Sequence, residues 1–298
     1  MKHLPHFPDQ LTVNDEFYAK QLVQLWHWLL VDDQVSDVVD VVGGEEIVEA
    51  QIIAKDNLVM AGVEEVSFLL SKKDFELSYN FLVDDGDLLI PGQQICILKG
   101  SRGEILRCER IILNFLGRFS GIATCVNIMQ STLKHAKIAA TRKTVWGRLD
   151  KKAVVVGGGL SHRLALGQCL MYKDNDWAWL EKLDEKAWND LFITWERWPM
   201  VIVELENDEQ IRIISFVLQK LSNMNSEIKL GVLLDNYVPE SLFTALQTLP
   251  RDLLAYIEVS GGISTANILE YDIPGVDVIS LGVITKSAKM ADLSLEIL

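Results

Sequence analysis

From residue 137 onward the chain alternates short, nearly all-apolar segments with amphipathic ones, and this alternation narrows the fold more than any other feature. The apolar segments are KIAAT (137–141), AVVVG (153–157), CLMYK (169–173), MVIVELE (200–206), KLGVLLD (229–235), AYIEVS (255–260) and DVISLG (277–282). Helical stretches such as DEQIRIISFVLQKL (208–221) and PESLFTALQTL (239–249) separate the later ones. Near-continuous apolar strands alternating with helices imply a parallel sheet covered by helices. An open doubly wound sheet and an α/β barrel both satisfy this pattern. The strand ends favour the barrel. Nearly every predicted strand runs, on its C-terminal side, into chemically capable residues: Arg142 and Lys143, then His162 and Arg163, Lys173, Glu204, Asp235, Ser260 to Gly262, and Gly282. A barrel builds its site on that rim, with each strand contributing a residue or two, whereas an open sheet gathers ligand contacts at one crevice.

The first half reads differently. Phe17, Leu22, Leu25, Trp26 and Leu29 recur at helical spacing, so one or two helices are expected from 11 to 31. Residues 36–107 carry short strands punctuated by turns such as Pro91-Gly92. A long helix follows from about Arg107 to His135, with Gly121 marking a point where an interruption is left open.

Composition then excludes several classes. The net charge of −14 makes nucleic acid and anionic lipid poor partners. No run of 18 apolar residues occurs and the N-terminus lacks a signal-peptide core, so no membrane span and a cytoplasmic location are expected. Cys96, Cys108, Cys125 and Cys169 show no CxxC spacing, and are expected to be reduced and mostly buried. Within this acidic chain lies a cationic island. Between Thr141 and Lys173 there are seven Lys/Arg residues and one acid, Asp150, where the average composition gives about three and about five. Such an island is either a solvated face or a site for a small polyanion.

The rim residues sort by chemistry. Arg142, Lys143, His162, Arg163 and Lys173 come from successive strand ends; arginine forks take carboxylates in bidentate fashion and lysines add point charges. Glu204 and Asp235 end later strands, and acids on a rim that binds phosphates suggest Mg²⁺. Capping of the following helices is their plainer role. Glu206 shares the face of Glu204 by the two-residue period. Ser260-Gly261-Gly262 and Gly282 suit phosphate binding through backbone N–H groups. His162 is open to three readings: general acid or base, ligand contact, or buried structural imidazole. Gly157-Gly158-Gly159 lacks dinucleotide-binding spacing.

Taken in order, ERIILNFLGRFSGIAT (109–124), TRKT (141–144), GGGLSHRLALG (157–167), KDN (173–175), VELEN (203–207), LLDN (233–236), EVSGGIS (258–264) and GVDVISLGVITKSA (275–288) resemble the quinolinate phosphoribosyltransferases, the carboxylating nicotinate-nucleotide diphosphorylases. The motifs span about two-thirds of the chain. The resemblance implies an N-terminal α/β sandwich-like domain (1–108) and an incomplete α/β barrel (109–283), with a tail (284–298) packing back on the first. It implies a homodimer with quinolinate and phosphoribosyl diphosphate as substrates and Mg²⁺ as cofactor. Arg142, Lys143, His162, Arg163 and Lys173 would hold the quinolinate carboxylates and part of the diphosphate, and Arg110 would reach in from the partner subunit. Lys143, Glu204 and Asp235 would stand nearest the chemistry, with the two acids facing the ribose and Mg²⁺. Ser260, Gly261, Gly262 and Gly282 would cradle the 5′-phosphate. Three positions depart from the family pattern: Asp176 where His is usual, Ser161 where Asn is common, and Trp146 in place of Pro. Two alternatives remain at this point: a homologue associated with molybdenum uptake that acts on another substrate, and a non-catalytic anion-binding homologue.

Overall fold

The computed structural model describes residues 3–33 and 44–298; the start of the β-rich stretch expected from 36 lies outside them. The chain forms two compact units. One holds the N-terminal segment up to Phe7, Met129–Arg142 and Leu160–Leu281; the other holds Pro8–Ile128, Lys143–Gly159 and Gly282–Leu298. Each unit is thus assembled from separate stretches, with the tail from Gly282 in the same unit as Pro8–Ile128.

The first unit carries six parallel strands: β6 (Lys137–Ala140), β7 (Leu170–Tyr172), β8 (Val201–Leu205), β9 (Leu230–Asp235), β10 (Ile257–Ser260) and β11 (Val278–Leu281). Their order in space is β6-β11-β10-β9-β8-β7. Each strand from β7 to β10 lies beside its successor, and β11 pairs with β6. A doubly wound sheet would reverse direction at a switch point. This order is that of an incomplete α/β barrel. Its interior is filled by Ala139, Cys169, Met200, Ile202, Leu233, Tyr256 and Val278, with Leu4 and Phe7 of the N-terminal segment packed against them. Helices α7 (Asp208–Asn223) and α8 (Pro239–Thr248) lie where the sequence predicts them. The tryptophan-rich stretch forms α5 (Asp174–Leu180) and α6 (Glu185–Trp195), with Trp188, Phe192 and Trp195 in mutual ring contact.

One predicted strand is a helix. AVVVG falls in α4 (Arg148–Val156), in the second unit. A four-residue apolar run does not distinguish strand from buried helix. Here the helix wins because Asp150 accepts the backbone N–H groups of Val145 and Trp146 at 2.7 and 3.1 Å and pairs with Arg118 at 2.8 Å. Leu149, Ala153 and Val154 are then buried together. The strand position is taken instead by Leu160, which bridges Ala139 in parallel and exchanges backbone hydrogen bonds with Ile138 and Ala140. His162 and Arg163 thus still follow a strand position.

The second unit contains an antiparallel sheet, β12-β1-β5-β3, built from β1 (Ile47–Ala54), β3 (Leu77–Phe81), β5 (Gln94–Ser101) and the C-terminal β12 (Leu293–Ile297). A short pair, β2 (Leu58–Val59) with β4 (Leu88–Leu89), stands apart from it. Helices α1 (Glu16–Asp32), α2 (Val63–Leu70) and α3 (Arg102–Thr132) complete the layer, Trp26 of α1 packing on Phe115 of α3. α3 runs unbroken through Gly121. That glycine serves another purpose: a Cβ there would lie 2.1 Å from the Lys289 carbonyl oxygen, and Ala291 N–H donates to the Gly117 carbonyl one turn away. The C-terminal tail crosses the helix at this point. Among the described residues α3 is the only helix long and apolar enough to cross a membrane, but 67% of its most apolar window is buried, as in a core helix. The four cysteines are free thiols, three of them buried, and burial pushes Cys96 and Cys108 up to about 12.

Candidate active site

The two-residue period of the strands converts the barrel core into a polar rim. On β8, Met200 and Ile202 point into the core, so Glu204 follows on the same face; on β9 Asp235 follows Leu233, and on β10 Glu258 and Ser260 follow Tyr256. On the segment of β7, Lys173 follows Cys169 and Met171.

Two charged groups result. The first is acidic with one cation. Lys173 Nζ lies 2.5 Å from Glu204 Oε2, and Glu204 is buried while Lys173 is half-exposed. Glu204, Glu206 and Asp235 bring carboxylate oxygens within 4.8 Å of one another. Burial raises the Glu204 carboxyl, Lys173 lowers it and Asp235 raises it again, with a net upward shift. Three hard oxygen donors in one cluster fit Mg²⁺. Helix α5 braces this corner. Trp177 Nε1–H donates to the Glu204 carbonyl at 2.6 Å, and Asp176 accepts the Lys173 backbone N–H at 2.7 Å.

The second group is cationic. Arg163 is 6% exposed. Its guanidinium is pushed below its ordinary value first by burial and then by the charge of Arg142, so the two arginines stand close enough to repel. Arg163 Nη1 also donates to the Cys169 carbonyl at 3.4 Å. The backbone N–H of Arg163 donates to His162 Nδ1 at 2.8 Å, and His162 Nε2 lies 3.1 Å from Glu258 Oε2. His162 takes a left-handed backbone, φ +50°.

Past β10, Gly261 and Gly262 have φ of +92° and +63°, where a side chain is strained. A Cβ on Gly261 would lie 2.3 Å from Asn236 Oδ1, while Gly262 faces open space. Ser260 Oγ–H donates to the Ser280 carbonyl at 3.4 Å.

The remaining expected residues belong to the second unit. Lys143 is exposed, and its carbonyl accepts Thr285 Oγ1–H at 2.8 Å. Gly282 opens the short helix α9 (Val283–Lys286) with an ordinary helical φ of −76°. Arg110 is exposed on α3.

Residues 122–296 match the family described as quinolinate phosphoribosyl transferase, C-terminal domain, and residues 33–120 match its N-terminal domain. The chain belongs to the quinolinate phosphoribosyl transferase family. A probable nicotinate-nucleotide pyrophosphorylase (carboxylating) of Methanothermobacter thermautotrophicus is 36% identical, over 84% of this chain and 88% of the relative. Its Bacillus subtilis counterpart is 31% identical over 91% of each. The solved nicotinate-nucleotide pyrophosphorylase of Francisella tularensis superposes with a TM-score of 0.77 at 28% identity, covering 94% of this chain and 96% of that one.

Each departure from the family pattern has a local partner. Asp176 caps the Lys173 N–H. Ser161 Oγ accepts the Phe7 N–H at 2.8 Å, tying the N-terminal segment to the barrel. Trp146 packs on Phe115 and Phe119 and lies under the Arg118 guanidinium. Sequence reasoning passed over Glu258 and Trp177. The first had a usable signal, since it sits two residues before Ser260 on one strand face; the second had none.

Proposed function

We propose that the protein transfers the phosphoribosyl group of phosphoribosyl diphosphate to quinolinate and releases CO₂, giving nicotinate mononucleotide and diphosphate. The observation that carries this reading is the buried Arg163 beside Arg142. Two like charges held together, one of them out of water, are relieved by a bound anion, and two guanidinium forks suit two adjacent carboxylates. Membership of the family supplies the substrate class.

In this reading Arg142 and Arg163 fix the pyridine dicarboxylate, with Arg110 entering from a partner subunit of a homodimer. The ring nitrogen attacks the anomeric carbon. The bond from that carbon to the diphosphate oxygen breaks, and its electron pair leaves with the diphosphate. Positive charge grows on the ribosyl centre meanwhile, and the Glu204 and Asp235 carboxylates oppose it. Lys173 holds Glu204 in place and offsets its charge. The carboxylate next to the now cationic nitrogen then departs as CO₂. Its bonding pair stays on the ring carbon, which takes a proton. Glu204, Glu206 and Asp235 would hold Mg²⁺, which when bound neutralises charge on the leaving diphosphate. The Ser260-Gly261-Gly262 turn would take the 5′-phosphate through backbone N–H groups.

The test is an assay of purified protein with Mg²⁺, phosphoribosyl diphosphate and quinolinate. Nicotinate mononucleotide and CO₂ are expected in equal amounts. Turnover of nicotinate without turnover of quinolinate would overturn the substrate assignment.

A further inference from the structure

Glu258 is a buried carboxylate for which the reaction above has no use. It is 1% exposed, on the inward face of β10; its Oε2 lies 3.1 Å from the imidazole of His162, and its charge also reaches Arg163 and Tyr256. Both nitrogens of that ring are engaged. Nδ1 accepts the Arg163 backbone N–H, so it carries no proton; Nε2 then carries the proton and needs an acceptor, which is Glu258 Oε2. Both ring nitrogens are thus held within the protein, and only 6% of the residue is exposed. Its left-handed backbone is a conformation that persists only when the surroundings hold it. The two ring bonds supply that hold.

We propose that Glu258 is a positioning residue for the dicarboxylate site: by accepting the Nε2 proton it keeps His162 in the form whose Nδ1 anchors the Arg163 backbone, and so fixes where the Arg163 guanidinium stands. The inference deepens the proposed function and rests on its assignment of quinolinate to the arginines. A Glu258 that merely stabilised the barrel would change melting temperature and nothing else. A positioning role moves one substrate and not the other.

Kinetics of Glu258→Ala, Glu258→Gln, Arg163→Ala and the Glu258→Ala/Arg163→Ala double variant separate the two. Loss of the acceptor is expected to raise KM for quinolinate about tenfold while KM for phosphoribosyl diphosphate stays within about twofold. Glu258→Gln keeps an acceptor oxygen and should recover most of the loss. The double variant should be no worse than Arg163→Ala, because the effect passes through that arginine. An unchanged quinolinate KM in folded Glu258→Ala, or losses that multiply in the double variant, would overturn the proposal. Should Glu258→Ala not fold, ¹⁵N-histidine NMR of the unaltered protein decides, with one of its five histidines assigned by Glu258→Gln and Arg163→Ala perturbation. A single proton on Nε2 of His162 is expected; a proton on Nδ1 sinks the mechanism. Absence of any quinolinate turnover by the unaltered enzyme would instead count against the proposed function, and the ring tautomer would still report on the Glu258–His162 link.

Discussion

Arg163 shows what a buried charge is for. Its guanidinium is desolvated and feels the charge of Arg142, offset in part by that of Glu258, and in the proposed function the incoming carboxylates relieve the rest. Arg163→Ala should therefore weaken quinolinate binding or transition-state stabilisation by about 2–5 kcal/mol, read as a loss in kcat/KM, because it leaves substrate charge buried and unpaired. Glu65, on α2, is a second buried charge with no such partner to come. Its Oε1 accepts the Tyr18 hydroxyl at 2.7 Å and Lys152 lies 3.9 Å away, yet burial pushes it up from 4.5 to about 7. The folded protein thus holds this proton more tightly than the unfolded chain. Stability from this group is present below about 4.5, falls as pH rises toward 7, and is flat above. Glu65→Gln keeps an acceptor for Tyr18 and removes the titration. Relative to the parent it should gain up to about 3 kcal/mol in urea unfolding between pH 4.5 and pH 8. A constant difference across that range would contradict the assignment.

Elements were legible in the sequence where period and length agreed. The strands at 137, 170, 201, 230, 257 and 278 stand within a few residues of their predicted places, because each is apolar on both faces and ends in a polar rim residue. AVVVG misled because its apolar run is short, and the decisive contact is a carboxylate, Asp150, bound to Arg118 of another helix. No local pattern carries that information. Gly121 was ambiguous for a related reason: the glycine answers to the distant tail residue Lys289, not to a break in its own helix. Gly121→Ala should lower stability by about 1–3 kcal/mol, since backbone atoms must move to admit the methyl group. An unaltered melting temperature would show that the tail moves aside freely.

For the whole molecule, motif order announced the family and the parallel alternation announced the barrel. Both units are assembled from separate stretches, the tail from Gly282 falling with Pro8–Ile128. The candidate site was legible to the extent that strand ends were. Lys173, Glu204 and Asp235 follow from the two-residue period, whereas the Lys173–Glu204 bond and the Glu258–His162–Arg163 chain depend on side chains meeting across strands. Of the cationic island in a chain of net charge −14, Arg148, Lys151 and Lys152 lie on α4 of the second unit, with Lys152 against Glu64; the meaning left to Arg142, Arg163 and Lys173 in the proposed function is local compensation for an anionic ligand that the overall charge would repel. Calorimetric titration of the protein with quinolinate and with nicotinate puts that meaning to the most direct trial. Two arginines serving two carboxylates predict that quinolinate binds at least about tenfold more tightly than its one-carboxylate analogue; equal affinities would contradict the account.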